Sequence, residues 1–208
     1  MTVQRPLSKR QLQAAATQEQ LLNAARDVFE AKGYLDASVG AITELADTAH
    51  GTFYLYFRNK EDAFAKVMAT VSAELYREAS SHWIEDPYEG IKVATRGFLR
   101  VFAEHKGLWR CLLQGMLQEP TIEAMWLELR RPFTERIARA LTRQQEAGLL
   151  RSFDAMLAAN ALASMAEWFG FTHLVLGEPA SDGPSLDAAV DVLTDLWYHA
   201  VYGGGPTG

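Results

Sequence analysis

Ala37–Phe64 reads ASVGAITELADTAHGTFYLYFRNKEDAF, and its periodicity decides how the chain folds. Val39, Ile42, Leu45 and Ala46 fall on one side of a short helix at the 3.6-residue period. After a break at Asp47-Thr48, a second short helix starts near Ala49. With Phe53 turned to the core, Gly51, Thr52, Tyr54 and Leu55 occupy the opposite arc at about 100° per residue. A small residue, a hydroxyl, an aromatic and a leucine make an odd face for solvent. Two short helices joined by a tight turn form a helix-turn-helix, whose second helix suits a major groove of double-stranded DNA.

The 208-residue chain is long enough to bury a sizeable core in one or two domains. Its 49% hydrophobic and 22% charged residues are those of a soluble globular protein. A single cysteine, Cys111, excludes an intrachain disulfide and makes a reducing cytoplasm the expected compartment. Met1–Gln20 is polar and lacks the apolar run of a secretion signal. The most apolar stretch, Ala158–Leu176, carries Asn160, Glu167 and His173, so no membrane span is expected. The formal charge of −6 is unevenly placed. Up to Lys66 eight basic residues balance eight acidic ones, and the remaining 12 basic and 18 acidic residues carry the whole excess. The helix-turn-helix third is neutral, which implies a small, local DNA footprint.

Residues 1–16 are expected to be a flexible basic arm with Arg5, Lys9 and Arg10, either a solvated tail or a reach toward DNA. Thr17 with Gln20 fits a capping box, and Leu21, Leu22, Ala25, Val28 and Phe29 stripe a first helix ending at Lys32-Gly33. Ser38 caps the helix-turn-helix. Asn59 or Lys60 opens a fourth helix, which runs through Phe64, Val67, Met68, Val71 and Leu75 toward Trp83. A domain boundary is placed inside it, giving residues 17–68 to DNA binding and 69–208 to a second domain.

Thr17 to Lys66 resembles the tetracycline-repressor-like (TetR) family of bacterial regulators, through LLNAARDVFEAKGY, the ASV…I…LA run and above all GTFYLYFRNKED at Gly51–Asp62. The resemblance implies that His50, Gly51, Thr52, Tyr54, Leu55, Tyr56 and Lys60 meet operator DNA, while Phe53 and Phe57 hold the small domain together. Thr52, Tyr56 and Lys60 are donors suited to phosphate oxygens. Leu55 offers apolar surface to a thymine methyl, and His50 can donate to a purine N7 or a phosphate. The departures cluster at the turn: Asp47 for a usual glycine, Thr48 for a buried aliphatic, Ala49 for a capping serine and His50 for Lys or Arg. Thr48 is a substitute cap in this reading.

Beyond Pro87 the signal is helical periodicity alone. Ile91, Ala94, Phe98, Val101 and Phe102 mark a fifth helix; Trp109, Leu112, Leu113 and Met116 a sixth; Ile122 to Leu141 a seventh that Pro132 is expected to kink. The eighth, from Phe153-Asp154, has Leu157, Ala161, Met165 and Trp168 or Phe169 on its expected core side. A second stripe of Ala159, Ala163, Ala166 and Gly170 is made of small residues. The ninth, Leu186 to Tyr202, shows Val192, Leu193, Leu196 and Trp197. The expected fold is all-α with about nine helices: an N-terminal three-helix DNA-binding domain and a C-terminal helical domain for ligand binding and dimerisation. The small stripe and the ninth helix are read as half of a four-helix bundle in a homodimer, as the resemblance also implies.

Phe98, Phe102, Trp109, Met116, Met125, Trp126, Phe133 and Trp168 are read either as core or as the lining of a pocket for an apolar or aromatic small-molecule effector. Glu167 and His173 are candidates to orient it, or else solvated or interface groups. No nucleophile elbow, HExxH or glycine-rich phosphate loop occurs, and His50, His82, His105, His173 and His199 lack metal spacing. An enzyme, a cofactor and a metal are therefore not expected. The competing class is a helical dimer that binds a small molecule or protein and has lost operator binding.

Overall fold

The computed structural model describes residues 8–79, 86–177 and 185–203. The arm up to residue 7, the expected run of the fourth helix to Trp83 and the tail from Gly204 lie outside them. Nine α-helices form among the described residues: α1 (Lys9–Asp36), α2 (Val39–Leu45), α3 (His50–Phe53), α4 (Lys60–Glu78), α5 (Pro87–Glu104), α6 (Lys106–Met116), α7 (Pro120–Glu146), α8 (Ala155–Phe169) and α9 (Leu186–Tyr202). A π-helical segment, Gly170–Leu176, extends α8. None of these helices is long and apolar enough to cross a membrane.

The first helix starts earlier than expected, and its capping box is Ser8 with Gln11. The Ser8 hydroxyl accepts the Gln11 amide, and the Gln11 side chain accepts the Ser8 amide at 2.9 Å. Residues 9–16 are therefore helix, not a flexible arm. Thr17 instead bonds the Gln13 carbonyl within the helix, and Gln20 reaches the Ala46 carbonyl at 2.7 Å. The break at Gly33 is where the sequence puts it. Its φ is +78°, a conformation that a side chain resists, and a Cβ there would lie 2.9 Å from Gln114 Oε1. The same Gln114 oxygen accepts the Tyr34 amide at 2.9 Å, pinning the end of α1 to α6.

A continuous buried cluster runs from Leu21, Phe29, Ile42, Phe53 and Phe57 through Phe64, Val67 and Met68 of α4 to Leu108, Trp109 and Leu112 of α6. Gly107 permits a close approach of α6 to α1, because a Cβ there would meet Glu30 Cα at 3.0 Å. His105 adds a polar tie between the halves, with Nε2 3.0 Å from Glu74 and Nδ1 3.7 Å from Glu30. α5 and α9 are zipped at their rims by three antiparallel pairs: Tyr88 with Asp195, Lys92 with Asp191 and Arg96 with Asp187. Exposed pairs of this kind are screened by solvent and contribute little. Burial behind them dominates.

The eighth helix is only partly placed as expected: Met165 and Phe169 pack inward, whereas Leu157, Ala161 and Trp168 face out. Ala159, Ala163 and Gly170 are buried by their own chain, Ala166 is half-buried, and a Cβ on Gly170 would meet the Phe102 ring at 2.6 Å. Gly170 is small so that the extension of α8 can approach α5, whereas Ala163 and Ala166 leave open space beside α8. Leu157, Ala161, Ser164 and Trp168, spaced i, i+4, i+7 and i+11, are the exposed stripe. Leu45, expected in the core, is exposed as well.

Candidate functional site

The helix-turn-helix is built around Phe53 and Phe57, both fully buried and 5.1 Å apart between ring centroids. Ser38 caps α2 by accepting the Ala41 amide at 3.2 Å. Asp47 turns the chain with φ +47°, doing the work of a turn glycine at the modest penalty Asp pays there. Thr48 does not cap α3. Its hydroxyl is buried without a partner, and Ala49 occupies the cap position with no side-chain bond. α3 is only four residues long, and i→i−3 bonds from Leu55 to Thr52 and from Tyr56 to Phe53 tighten the chain after it.

Around this short helix His50, Gly51, Tyr54 and Leu55 are exposed, and Leu55 is 79% exposed. His50 and Tyr54 pack edge to face at 5.6 Å. Nothing lies within 4 Å of where a Gly51 Cβ would stand. Internal packing therefore does not demand glycine there. Thr52 and Tyr56 are half-buried on the flanks.

Lys60 is placed differently from a free phosphate donor. Its ammonium donates to the Tyr34 carbonyl at 2.9 Å and lies 4.5 Å above the Tyr34 ring centroid. Lys60→Ala is expected to lower stability by about 1 to 2 kcal/mol through loss of a charged hydrogen bond and a cation–π contact. Thermal denaturation without DNA checks this. Asp62 anchors the same corner. Burial alone would raise its carboxyl, but the Arg58 amide and the Lys66 and Arg58 cations prevail and hold it below the usual range.

The second candidate site is a cavity of about 780 Å³, mouth included, in the helical half. Its lining is apolar: Ile91, Ala94 and Phe98 of α5, Phe133 and Ile137 of α7, Leu162, Ala163 and Met165 of α8, and Leu193 and Trp197 of α9. Thr95 and Arg136 are its polar members. Burial lowers the Arg136 guanidinium, with Arg139 adding to the effect. A smaller space of about 260 Å³, adjoining open space included, lies behind Phe98 and Phe133, bounded also by Tyr76, Trp109, Trp126, Arg130 and Glu167.

Of the sequence-expected pocket residues, the structure brings Phe98, Phe133, Trp109 and Trp126 to these spaces. Phe102 instead fills the core, stacked on Trp109 at 4.1 Å. Met116 and Met125 are half-buried against that core away from both spaces, and Trp168 is 62% exposed on the outer face of α8. Ala163, Ala166, Leu193 and Trp197, expected at a subunit interface, line the larger cavity instead. Glu167 does face the smaller one, whereas His173 stacks on Phe169 at 4.1 Å.

Three polar arrangements leave no mark on the sequence. Arg130 holds both Glu167 oxygens at 2.8 and 2.9 Å and also reaches the Asn160 side chain at 2.7 Å and Ser164 at 2.9 Å. Burial raises the Glu167 carboxyl and Arg130 pulls it partly back. The second is at Pro132, which α7 passes through without ending. The Tyr76 hydroxyl of α4 donates to the Leu129 carbonyl and takes the Phe133 amide, so α4 is bonded into the α7 ladder beside the proline. The Tyr76 ring stacks on Phe133 at 5.7 Å. Glu74, Glu104 and His105 each bring a ligand-type atom within 4.8 Å of one another, a proximity hidden from sequence spacing because Glu74 is on another helix.

Residues 21–67 match the family described as bacterial regulatory proteins, tetR family, and residues 91–203 match the C-terminal domain of the transcriptional regulator EthR. The fatty acid metabolism regulator protein of Bacillus subtilis is 37% identical over 73 residues, which span 35% of this chain and only 34% of that relative. The uncharacterized HTH-type transcriptional regulator YdgC of the same organism is 28% identical over 79% of this chain and 86% of its own length. Among solved structures, the fatty acid degradation regulator FadR from Bacillus halodurans superposes with a TM-score of 0.72 at 22% identity, covering 93% of this chain and 96% of that one. At that identity the likeness is one of fold.

Proposed function

The chain belongs to the TetR family of bacterial transcriptional regulators, which are not enzymes, and we propose that it is a ligand-responsive repressor that binds a palindromic operator as a homodimer. The carrying observation is the pairing of buried Phe53 and Phe57 with an exposed His50, Gly51, Tyr54 and Leu55 edge that its own chain leaves uncovered. An open glycine, an apolar tip and two ring donors suit close approach to base edges. Ser38, Thr52 and Tyr56 flank that edge as phosphate donors. Lys60 acts chiefly by holding the domain together.

The homodimer forms through Leu157, Ala161 and Trp168 of α8 with Val192 and Leu196 of α9, apolar residues that the single chain leaves exposed. The effector is a small apolar or aromatic molecule held in the larger cavity. Phe133 lines that cavity and stacks on Tyr76, so an occupant biases α4 and with it the spacing of the two recognition edges. A dimer that has lost operator binding is the second reading, favoured by the uncapped Ala49 and the unpartnered Thr48 hydroxyl.

Calorimetry with and without operator duplex tests the coupling. An effector that lowers operator affinity by some factor must itself bind more weakly to the DNA complex by the same factor, typically about 5- to 150-fold. Equal ligand affinity in both conditions refutes the coupling.

A further inference from the structure

Phe98 and Phe133 line both the larger cavity and the smaller space behind it, stacked with centroids 6.0 Å apart and planes at 22°. They are a wall of two rings. Behind the wall, polarity is present but unevenly satisfied. Arg130 and Glu167 neutralise each other, and the other Arg130 N–H groups are taken by Asn160 and Ser164. The Tyr76 hydroxyl is engaged by α7. Trp109 has no exposed surface, and its indole N–H has no hydrogen-bond partner. A buried donor left unpaired is a deficit that a suitable acceptor removes. Because the two charges cancel, the chamber favours a neutral acceptor over an anion, which would be desolvated there without a counter-charge.

We infer that the two spaces are chambers of one binding site, in which the Trp109 indole selects effectors carrying a neutral oxygen acceptor, as in a ketone, ester or amide, on an apolar or aromatic body. The inference rests on the proposal that the cavity takes an effector, and it adds the specificity-determining contact. Rotation of Phe133 joins the chambers. That ring lies against Tyr76 of α4, so the acceptor end of the ligand enters on the side where the DNA-binding half is attached.

Three probes of nearly equal shape test this on the full chain without DNA: benzylacetone, isopentylbenzene and hydrocinnamate. They present a ketone, a hydrocarbon and a carboxylate at the same place. Benzylacetone is expected to move the Trp109 indole N–H resonance downfield in nitrogen-edited NMR, and isopentylbenzene to bind without that downfield move. Trp109→Phe, which also identifies the resonance, is expected to weaken benzylacetone about tenfold and isopentylbenzene by less than about twofold. Hydrocinnamate is expected to bind more weakly than benzylacetone.

Equal weakening of both neutral probes by Trp109→Phe, an unmoved indole resonance under saturating benzylacetone, tighter binding of hydrocinnamate, or no binding by any probe would each overturn the inference. If Trp109→Phe does not fold, the wild-type resonance decides alone, with the assignment taken from sequential NMR. Operator binding is measured separately and without probes. Failure here therefore leaves the DNA-binding proposal standing, and failure there leaves this result interpretable.

Discussion

Trp168→Arg is expected to turn the dimer into a folded monomer, whereas Ala163→Arg is expected to unfold the chain. Trp168 is 62% exposed on the outer stripe of α8, so the single chain loses little when it is replaced. In the proposed dimer each subunit would bury a guanidinium without a partner, at several kcal/mol. At about 1.4 kcal/mol per decade, the dimer dissociation constant should rise by roughly two to four decades. Ala163 is 1% exposed and faces α5, α7 and α9 across the larger cavity, so an arginine there is held inside the chain's own helical core. Its cost falls on folding, at more than about 4 kcal/mol. Sedimentation and circular dichroism on both variants separate the cases. A Trp168→Arg protein that stays dimeric would remove α8 from the interface.

Arg130→Ala is the second large effect, expected to destabilise the fold by about 3 to 5 kcal/mol. The Arg130 and Glu167 side chains are 14% and 11% exposed, so removing one leaves the other charge nearly dry. The double variant Arg130→Met with Glu167→Leu should recover most of the loss, since a buried pair replaced by apolar groups is often neutral. The pH dependence carries a sign. Burial raises the Glu167 carboxyl, and without Arg130 only burial remains to act on it. A carboxyl raised in the folded state holds its proton more tightly there than in the unfolded chain. Its favourable contribution is therefore complete below the unfolded value and is lost as pH rises through the folded one. The deficit of Arg130→Ala relative to wild type should accordingly be smallest near about pH 4 and grow toward neutrality. Urea denaturation across pH measures it. A deficit independent of pH would mean that lost packing, not the stranded carboxylate, dominates.

How much of this was legible in the sequence depended on whether a residue's partner was local. Ser38 at the cap, Asp47 in the turn, Gly33 at the break and Phe53 beneath the exposed edge follow from backbone conformation and a 3.6-residue period, and all four stand where they were read. The eighth helix defeated the same method because it is apolar on two faces. Periodicity identifies stripes but not which one meets the chain's own helices. A small stripe also fits an outward placement, because close approach between subunits needs small residues too. Gly170 against Phe102 places that need inside the chain.

The cavity was legible only in part. Phe98 and Phe133 are drawn together from α5 and α7, while Phe102, equally aromatic and four residues from Phe98, turns to Trp109 and fills the core. Ser8 with Gln11 caps the first helix, although Thr17 with Gln20 makes the same pattern nearer the first apolar stripe. The tie of Lys60 to the Tyr34 carbonyl is not legible, because carbonyls leave no mark on sequence. Arg130 and Tyr76 were missed for a related reason. Each finds its partners on another helix, at separations no local pattern encodes.

The central claim is that Gly51, Tyr54 and Leu55 are exposed because a duplex covers them. Selection from a random duplex library, at physiological salt and with the purified full chain, tests it without knowledge of the operator. The expected result is enrichment of an inverted repeat whose half-sites lie a whole number of helical turns apart, about 10 to 10.5 base pairs each, and a changed base preference in each half-site for Leu55→Ala. No enrichment above non-specific binding, or an enriched sequence whose preference Leu55→Ala leaves untouched, would contradict it.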